Sequence, residues 1–551
     1  MKKRLHDVLK TVVEKLGVPS PEIVIELPRE ESFGDLATPV AMSLSKILKK
    51  PPRKIAEDIA GAIEEKEIFE KIDIAGPGFI NFTFSKAYLH SELRKIITDG
   101  PAILRENIGK GKRIQIEFVS ANPTGPLHLG HGRGAAFGAA LANLLTAGGY
   151  KVEREYYIND AGKQVLLLGK SVFARYMHLC GAGEYAFPDD GYRGDYIEDV
   201  AKEFKKEVGK KYCHSALKES PQQGIIAAQE FAYGKMLDII KKDLGEFGVL
   251  FDTWQSEREL YKSSDVTKAI EDLRSHGHIF EKDGATWFRS TDFGDDKDRV
   301  LVKQDGEYTY FTSDIAYHRK KIEKKFDELI DIWGADHHGY IPRVQAVIQA
   351  LGYPKESLRV LLVQMVSLLR GGKPVQMSKR TGEFVSLREV IAEVGADTAK
   401  FIFLTRRSDS HLEFDLEVAK AQSAENPVFY VQYANARINS IFANAKTKGF
   451  DTGGLEDTDL GLLSAQEEVR IIKKLLSYPI IFEGAVIAHE PHRITFFLQE
   501  IAGMFHPYYH KYKVVTDDIR LTGARLSLCE AIRVVIKDGF EILGLSAPER
   551  M

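Results

Sequence analysis

A chain of 551 residues, 28% charged and 44% hydrophobic, is long enough for several packed cores and has the balance of a soluble globular protein. Its net charge of only -3 excludes a global positive field, so any contact with nucleic acid has to come from local patches. Three cysteines, Cys180, Cys213 and Cys529, stand far apart without a CxxC pairing, which argues for a reducing compartment and against structural zinc.

Leu5, Val8, Leu9, Val12, Val13 and Leu16 have the rhythm of an amphipathic helix. Asp7 and Glu14 on its polar face argue against a transit peptide, and no apolar run reaches membrane-spanning length. A cytoplasmic protein without a membrane partner is expected. Residues 1–108 read as a small α+β domain. Ile23-Val24-Ile25 predicts a strand, Ser32–Thr38 a turn into a helix at Pro39–Leu48, and Pro51–Ile63 a second helix. Ile72–Thr83 predicts two strands around the turn Gly76-Pro77-Gly78.

The stretch that organises the chain follows. Ile114, Ile116 and Phe118 alternate with Arg113, Gln115 and Glu117, predicting a half-buried strand. Next comes the Pro/Gly-rich turn Ser120-Ala121-Asn122-Pro123-Thr124-Gly125-Pro126-Leu127-His128-Leu129-Gly130-His131, then the small, apolar helix Gly134–Leu145. Strand, turn and helix make an anion-receiving helix N-terminus. Gly130 and Gly132 would let a ligand approach the backbone, and His128 and His131, three apart, would face the same ligand.

Between 161 and 300 the pattern changes to amphipathic helices at Lys163–Met177, Tyr196–Val208 and Gly224–Phe247, with a polar loop at Gly181–Gly194. This reads as an insertion separating two halves of a nucleotide-binding fold. Thr286–Arg289 and Arg299–Lys303 predict paired strands. Asp292–Asp298 lacks EF-hand spacing and reads as a solvated turn. From Tyr308 strands and helices alternate again: strand Ile330–Trp333 ending in Gly334–Gly339, helix Ile341–Leu351, strand Leu361–Val363. That alternation predicts a doubly wound parallel sheet with ligands at the strand C-terminal ends. Asp336, His337 and His338 are consecutive and cannot easily converge on one ion, so they read as ligand-facing residues, and no protein metal site is assigned.

A second signature, Gly371-Gly372-Lys373-Pro374-Val375-Gln376-Met377-Ser378-Lys379-Arg380-Thr381-Gly382, is a glycine-flanked, basic, hydroxyl-bearing loop. Helices are predicted at Leu387–Glu393 and Ala396–Thr405, and 426–551 is almost purely helical. Basic and acidic residues nearly cancel in that last segment, which argues against a phosphate-only grip there. Tyr430, Tyr433, Tyr508, Tyr509 and Tyr512 offer flat surfaces for unpaired bases, with two of the five expected to be exposed.

The two signatures resemble the HIGH and KMSKS motifs of class I aminoacyl-tRNA synthetases. The longer string Glu117–Asn143, followed by Tyr156–Gly162, is similar to bacterial-type arginyl-tRNA synthetases, and the resemblance extends over essentially the whole chain. It implies an N-terminal tRNA-contacting α+β domain (1–108), a Rossmann-like α/β catalytic domain with the insertion (109–385), stem helices (386–425) and an all-α anticodon-binding domain (426–551). It further implies ATP-dependent ligation of L-arginine to tRNA(Arg) through an arginyl adenylate, Mg²⁺ arriving with ATP, activation that requires bound tRNA, and a monomer. By the same resemblance His128, Gly130, His131, Met377, Ser378 and Lys379 would bind ATP, with His128, His131 and Lys379 catalytic. Glu117, Tyr310 and Asp314 would select the guanidinium, Ser120 and Asn122 would take the α-ammonium and carboxylate, and His337 would stand nearby. Tyr430, Tyr433, Tyr508 and Tyr509 would contact tRNA. The family's loop commonly begins with lysine where this chain has Gln376. Competing readings are a class I synthetase for glutamine, glutamate or cysteine, a small-molecule adenylate-forming ligase, and a silent RNA-binding relative or amino-acid sensor. Intact His128, His131 and Lys379 argue against the last.

Overall fold

A computed structural model describes residues 1–182, 185–213, 221–375 and 385–551. Gln376, Met377, Ser378, Lys379 and Gly382 of the second signature therefore lie outside the described residues. The chain forms two compact units, one of Met1–Ile108 with Pro427–Met551 and one of Gly109–Asn426. No helix among the described residues is long and apolar enough to cross a membrane.

In the first unit, β1 (Leu36–Thr38), β2 (Phe69–Ala75) and β3 (Phe79–Phe84) form an antiparallel sheet in the order β1-β3-β2. Gly78 has φ +143°, and a Cβ there would come within 3.0 Å of Pro52, so the turn between β2 and β3 requires glycine. Ile23–Ile25 does not form the expected strand: only Glu26 bridges Ala37. Pro21 and Pro28 cannot donate to a ladder, and the Val24 carbonyl accepts the Thr38 hydroxyl at 2.6 Å instead. Helices Pro427–Thr447, Gln466–Ala488, His492–Lys511 and Ile519–Leu543 complete the unit. Buried Asp538 accepts both the Tyr478 hydroxyl at 2.6 Å and Arg105 Nε at 2.7 Å, joining the sequence-distant parts of one body.

In the second unit the strands include β4 (Arg113–Glu117), β5 (Lys151–Ile158), β6 (Thr253–Ser256), β7 (Ile279–Lys282), β8 (Ala285–Phe288), β9 (Arg299–Val302), β10 (Glu328–Gly334) and β11 (Leu358–Val363), with Val366–Arg370, Lys373–Pro374 and Leu412–Asp415 forming a further small sheet. Five of them form a parallel sheet in the order β11-β10-β4-β5-β6, and β7-β8-β9 form an antiparallel meander. The span expected to be an insertion thus gives β6 to the main sheet. Its helices Lys163–Leu179, Asp195–Val208 and Gln222–Glu246 leave between β5 and β6 and pack their own core around Leu168, Phe173, Tyr176 and Phe204. Ser290 and Arg299 hold the acidic turn, with Arg299 paired to Asp295 and Asp296. Winding proceeds outward from β4 toward β6 and from β10 toward β11, so the switch point lies between β4 and β10.

β4 departs from the half-buried expectation. Gln115 is 1% exposed and Glu117 7%, because a central strand of a parallel sheet is covered on both faces. Partners come from within the protein: Gln115 Nε2 donates to Glu155 at 2.8 Å, and Glu117 accepts three donors described below.

Candidate active site

A cavity of about 600 Å³ opens at the switch point, lined by residues that leave β4 and β10 at their C-terminal ends. The chain turns sharply after β4: Val119 and Ser120 have φ +69° and +39°, a conformation costly for any residue with a Cβ and most of all for valine. Ser120 Oγ stabilises the turn by donating to Glu117 Oε1 at 2.9 Å and accepting from Tyr157 N at 3.1 Å. Backbone strain is thus held at the spot where Ser120, Ala121 and Asn122 enter the cavity wall.

The signature helix is Leu129–Ala147, with His128 as its N-cap. Nδ1 of His128 accepts from Gly130 N at 3.1 Å, and Nδ1 of His131 accepts from His128 N at 3.3 Å. The two rings stack with centroids 3.7 Å apart. An Nδ1 that accepts a backbone N–H leaves the proton of a neutral imidazole on Nε2, so the caps fix both tautomers as Nε2 donors. Both rings line the cavity with Gly130 and Gly134, and a Cβ at Gly134 would meet nothing within 4 Å. Gly132 does not have the expected ligand-facing role. Its Cβ would press Leu387 at 2.7 Å, so it serves close packing inside the protein. Ser386, directly after the undescribed segment, bridges His128, and Leu387 N donates to Leu127 O at 2.8 Å.

Arg133, on the same helix, is 1% exposed and donates at 2.8 Å to the carbonyls of Gln364, Ser410 and Arg407. Burial lowers its pKa to about 10, with Asp409 only partly offsetting this. It fixes Gln364 and Met365, two residues of the cavity wall. Arg133→Ala orphans three carbonyls and is expected to cost about 3 kcal/mol, read as a lower denaturant midpoint in equilibrium unfolding.

The acidic side of the cavity comes from β4 and the helix Tyr310–Glu323. Glu117 accepts Ser120 Oγ on one oxygen, and Tyr317 OH at 3.0 Å and Lys321 Nζ on the other. Lys321, 1% exposed, also donates to Asp331 on β10 at 2.7 Å. Burial opposes charge on both partners of that pair. Lys321 and His318 nevertheless hold Asp331 down at about 2, and Asp331 and Glu117 hold Lys321 above the usual lysine value. Glu117 itself is pushed up by burial against the pull of Lys321. Most of its accepting capacity is committed inside the protein.

Asp314 differs. Among the described residues only its Oδ2 is engaged, by the Tyr340 hydroxyl. Burial pushes its carboxyl up to about 6, with Tyr340 and His318 pulling the other way. It lines the cavity, as do Ser120, Asn122 and exposed His337, which sits on the short helix Ala335–Tyr340 beyond β10. Tyr310, at the first turn of its helix, is 56% exposed and not among the residues lining the cavity, its hydroxyl over Gly162. Tyr317, two turns further on, is the buried tyrosine that reaches Glu117 and, at 2.6 Å, Glu155. Sequence reading missed Tyr317, His318, Lys321, Asp331 and Tyr340. The spacing of Asp314, Tyr317, His318 and Lys321, a polar stripe on one helix face, was the available signal. Among the described residues no group of three or more His, Cys, Asp or Glu is placed to hold a metal ion.

In the other unit, Tyr433 is 36% exposed and Arg437 lies over its ring at 4.5 Å and over the Tyr509 ring at 4.9 Å. His506 packs 4.4 Å from Tyr430 and 5.7 Å from Tyr433. These four rings and one guanidinium form a single cluster. Tyr508 is a correction: it is 1% exposed and its hydroxyl donates to Glu468, so it is a core residue with no face for a base.

The residues 92–442 match the family model for the class I tRNA synthetase (R) catalytic domain, 1–84 the arginyl tRNA synthetase N-terminal domain and 431–551 the DALR anticodon binding domain. An arginine--tRNA ligase of Citrifermentans bemidjiense is 49% identical over 96% of this chain and 95% of its own length. One from Geobacillus thermodenitrificans is 46% identical over 100% of this chain and 99% of its own. The solved structure of Thermus thermophilus arginyl-tRNA synthetase covers 100% of both chains with a TM-score of 0.77 at 21% identity, a likeness of fold. With the strand-end cavity, the capped histidine pair and these matches over its whole length, the chain belongs to the arginyl-tRNA synthetases, a class I aminoacyl-tRNA synthetase family.

Proposed function

We infer that the chain ligates L-arginine to tRNA at the expense of ATP, passing through an arginyl adenylate. The observation that carries the reading is Asp314, a cavity carboxylate with an open oxygen, facing a helix N-terminus that presents two Nε2 donors. The carboxylate of arginine attacks the α-phosphorus of ATP, and the bond to pyrophosphate breaks. A terminal ribose hydroxyl of tRNA then attacks the adenylate carbonyl, loses its proton and releases AMP. Neither step needs a protein nucleophile; both need alignment and donors where charge grows. His128 and His131 serve as those donors, and the bare backbone at Gly130 and Gly134 leaves room for the nucleotide. Mg²⁺ enters as part of the ATP substrate. Lys379, with Met377 and Ser378, would meet the leaving pyrophosphate; Lys379→Ala is expected to slow adenylate formation on the order of a hundredfold while sparing arginine binding, as single-turnover kinetics with tRNA would report.

Asp314 anchors the guanidinium, Glu117 assists with its remaining lone pair, and Ser120, Asn122 and His337 stand where the α-ammonium and carboxylate would lie. Tyr430, Tyr433 and Tyr509 would stack on unpaired bases of tRNA. Tyr433→Ala is expected to weaken tRNA binding by about 1–3 kcal/mol, whereas Tyr508→Phe should leave it unchanged in a filter-binding assay. The enzyme works as a cytoplasmic monomer. Arginine-dependent exchange of pyrophosphate into ATP, with tRNA present, tests the reading. Lysine cannot satisfy a bidentate acceptor and citrulline lacks the charge, so both should fail; exchange with lysine equal to that with arginine would refute the pocket.

A further inference from the structure

Behind Asp314, and not itself among the residues lining the cavity, lies a second buried carboxyl. Glu257 opens the helix Glu257–Lys262 directly after β6, is 2% exposed, and accepts Ser313 Oγ at 2.7 Å through Oε1. Its Oε2 makes no hydrogen bond of ordinary geometry among the described residues. Neither does the hydroxyl of Tyr157, which is 9% exposed, lines the cavity and packs 4.3 Å from Tyr317. The two groups are close enough for the Glu257 charge to act on Tyr157. The Ala161 amide approaches Glu257 without closing a bond of that geometry, and folded proteins rarely leave two such atoms so poorly served in one place unless something else serves them.

The surroundings of Glu257 say what that is. From β5 and its end it is faced by Tyr157, Asp160 and the Ala161 amide, from the helix Tyr310–Glu323 by Ser313 and Asp314, and on its own helix by Tyr261. Arg258, next in sequence, is turned away to the Asp160 carbonyl at 2.6 Å and to Glu230. Asp160 is itself held by Tyr233, Ser256 and the Arg258 amide. Among the described residues the groups acting on Glu257 itself are carboxyls, a serine and the Ala161 amide, and the nearby cations, His318 and Arg343, act on Asp314 instead. A guanidinium carries five donors, more than Asp314 Oδ1 and the remaining lone pair of Glu117 accept.

We propose that Glu257 and the Tyr157 hydroxyl form a second tier of the guanidinium-selecting wall behind Asp314, and that Glu257 releases a proton as the cation enters. The inference rests on the reading of this cavity as the arginine site. Burial foremost, opposed by the Ser313 hydrogen bond and the Ala161 amide and aided by Asp314 and Asp160, pushes the Glu257 carboxyl up to about 7. Asp314 stands at about 6. Both values are raised above those of the unfolded chain, so the empty protein is most stable when they are protonated and loses stability as pH rises through about 6 and about 7. A bound cation reverses this, and arginine affinity grows over the same window.

Arginine is titrated calorimetrically into the full chain near pH 6 and near pH 7.5, in two buffers of different ionisation enthalpy. Wild type is expected to release protons near pH 6, and its arginine affinity to fall on the order of tenfold between the higher and the lower pH. Glu257→Gln should retain only about a twofold dependence, from Asp314, and lose most of the proton release. Tyr157→Phe should weaken binding several-fold at both pH values and keep the slope. A Glu257→Gln variant with the wild-type slope, or one weakened equally at both pH values, overturns the proposal. If that variant fails to fold, absence of proton release by wild type near pH 6 overturns it. Lysine bound as tightly as arginine by wild type would instead overturn the reading of the cavity itself, and the proposal with it.

Discussion

Asp314→Asn is expected to raise the arginine KM on the order of a hundredfold or more, a loss of about 3 kcal/mol, and to leave the KM for ATP near the wild-type value. The substitution keeps size and shape. An asparagine oxygen can still accept from Tyr340, so the helix Tyr310–Glu323 keeps its place. What disappears is charge opposite the guanidinium, in a wall where Glu117 cannot substitute. Three donors already occupy Glu117, one of them the ammonium of Lys321. The two carboxyls of the site are therefore unequal, although both carry the same expectation from sequence. Steady-state pyrophosphate exchange with arginine and ATP varied separately checks this; an unchanged arginine KM would place the guanidinium elsewhere.

Lys321→Met is expected to cost about 3–5 kcal/mol of stability at neutral pH, since it strands Glu117 and Asp331 in the sheet without their shared cation. Methionine fills the volume, so the loss reports charge. The low Asp331 value depends on Lys321 and His318, and its stabilising contribution is present above the unfolded-chain value and lost as pH falls toward about 2. Without Lys321 that carboxyl has to rise, and the variant recovers stability on acidification as the stranded pair takes up a proton. Urea unfolding near pH 7 and near pH 5 should show the deficit shrinking at the lower pH. A deficit equal at both would assign the loss to packing.

The signature turn was legible because its glycines, prolines and histidines are backbone punctuation, and such residues carry their conformation with them. The alternation of strands and helices that makes the parallel sheet was legible for the same local reason. The floor of the site was not. Gln115 and Glu117 alternate with isoleucines as they would on a strand half in water, and only the helix Tyr310–Glu323, some 200 positions away in sequence, covers them. That helix is polar on the face it buries, because its Lys321 and Tyr317 answer carboxylates on β4, β5 and β10. Tyr310 and Asp314 share a helical spacing, yet the first turn carries Tyr310 out to solvent. Likewise, nothing near Arg105 announces Asp538 as its partner, so the union of the two chain ends in one unit had no local signal. Burial of a particular tyrosine, 508 against 433, depends on helix rotation that five tyrosines in an amphipathic pattern do not define.

The most direct test is to charge unfractionated tRNA with each of the twenty amino acids in turn, using the full chain, ATP and Mg²⁺. Ester-linked arginine, formed only with ATP and tRNA together and reduced by Asp314→Asn, is the predicted result. Charging of another amino acid at a comparable rate, or none with arginine, would contradict it.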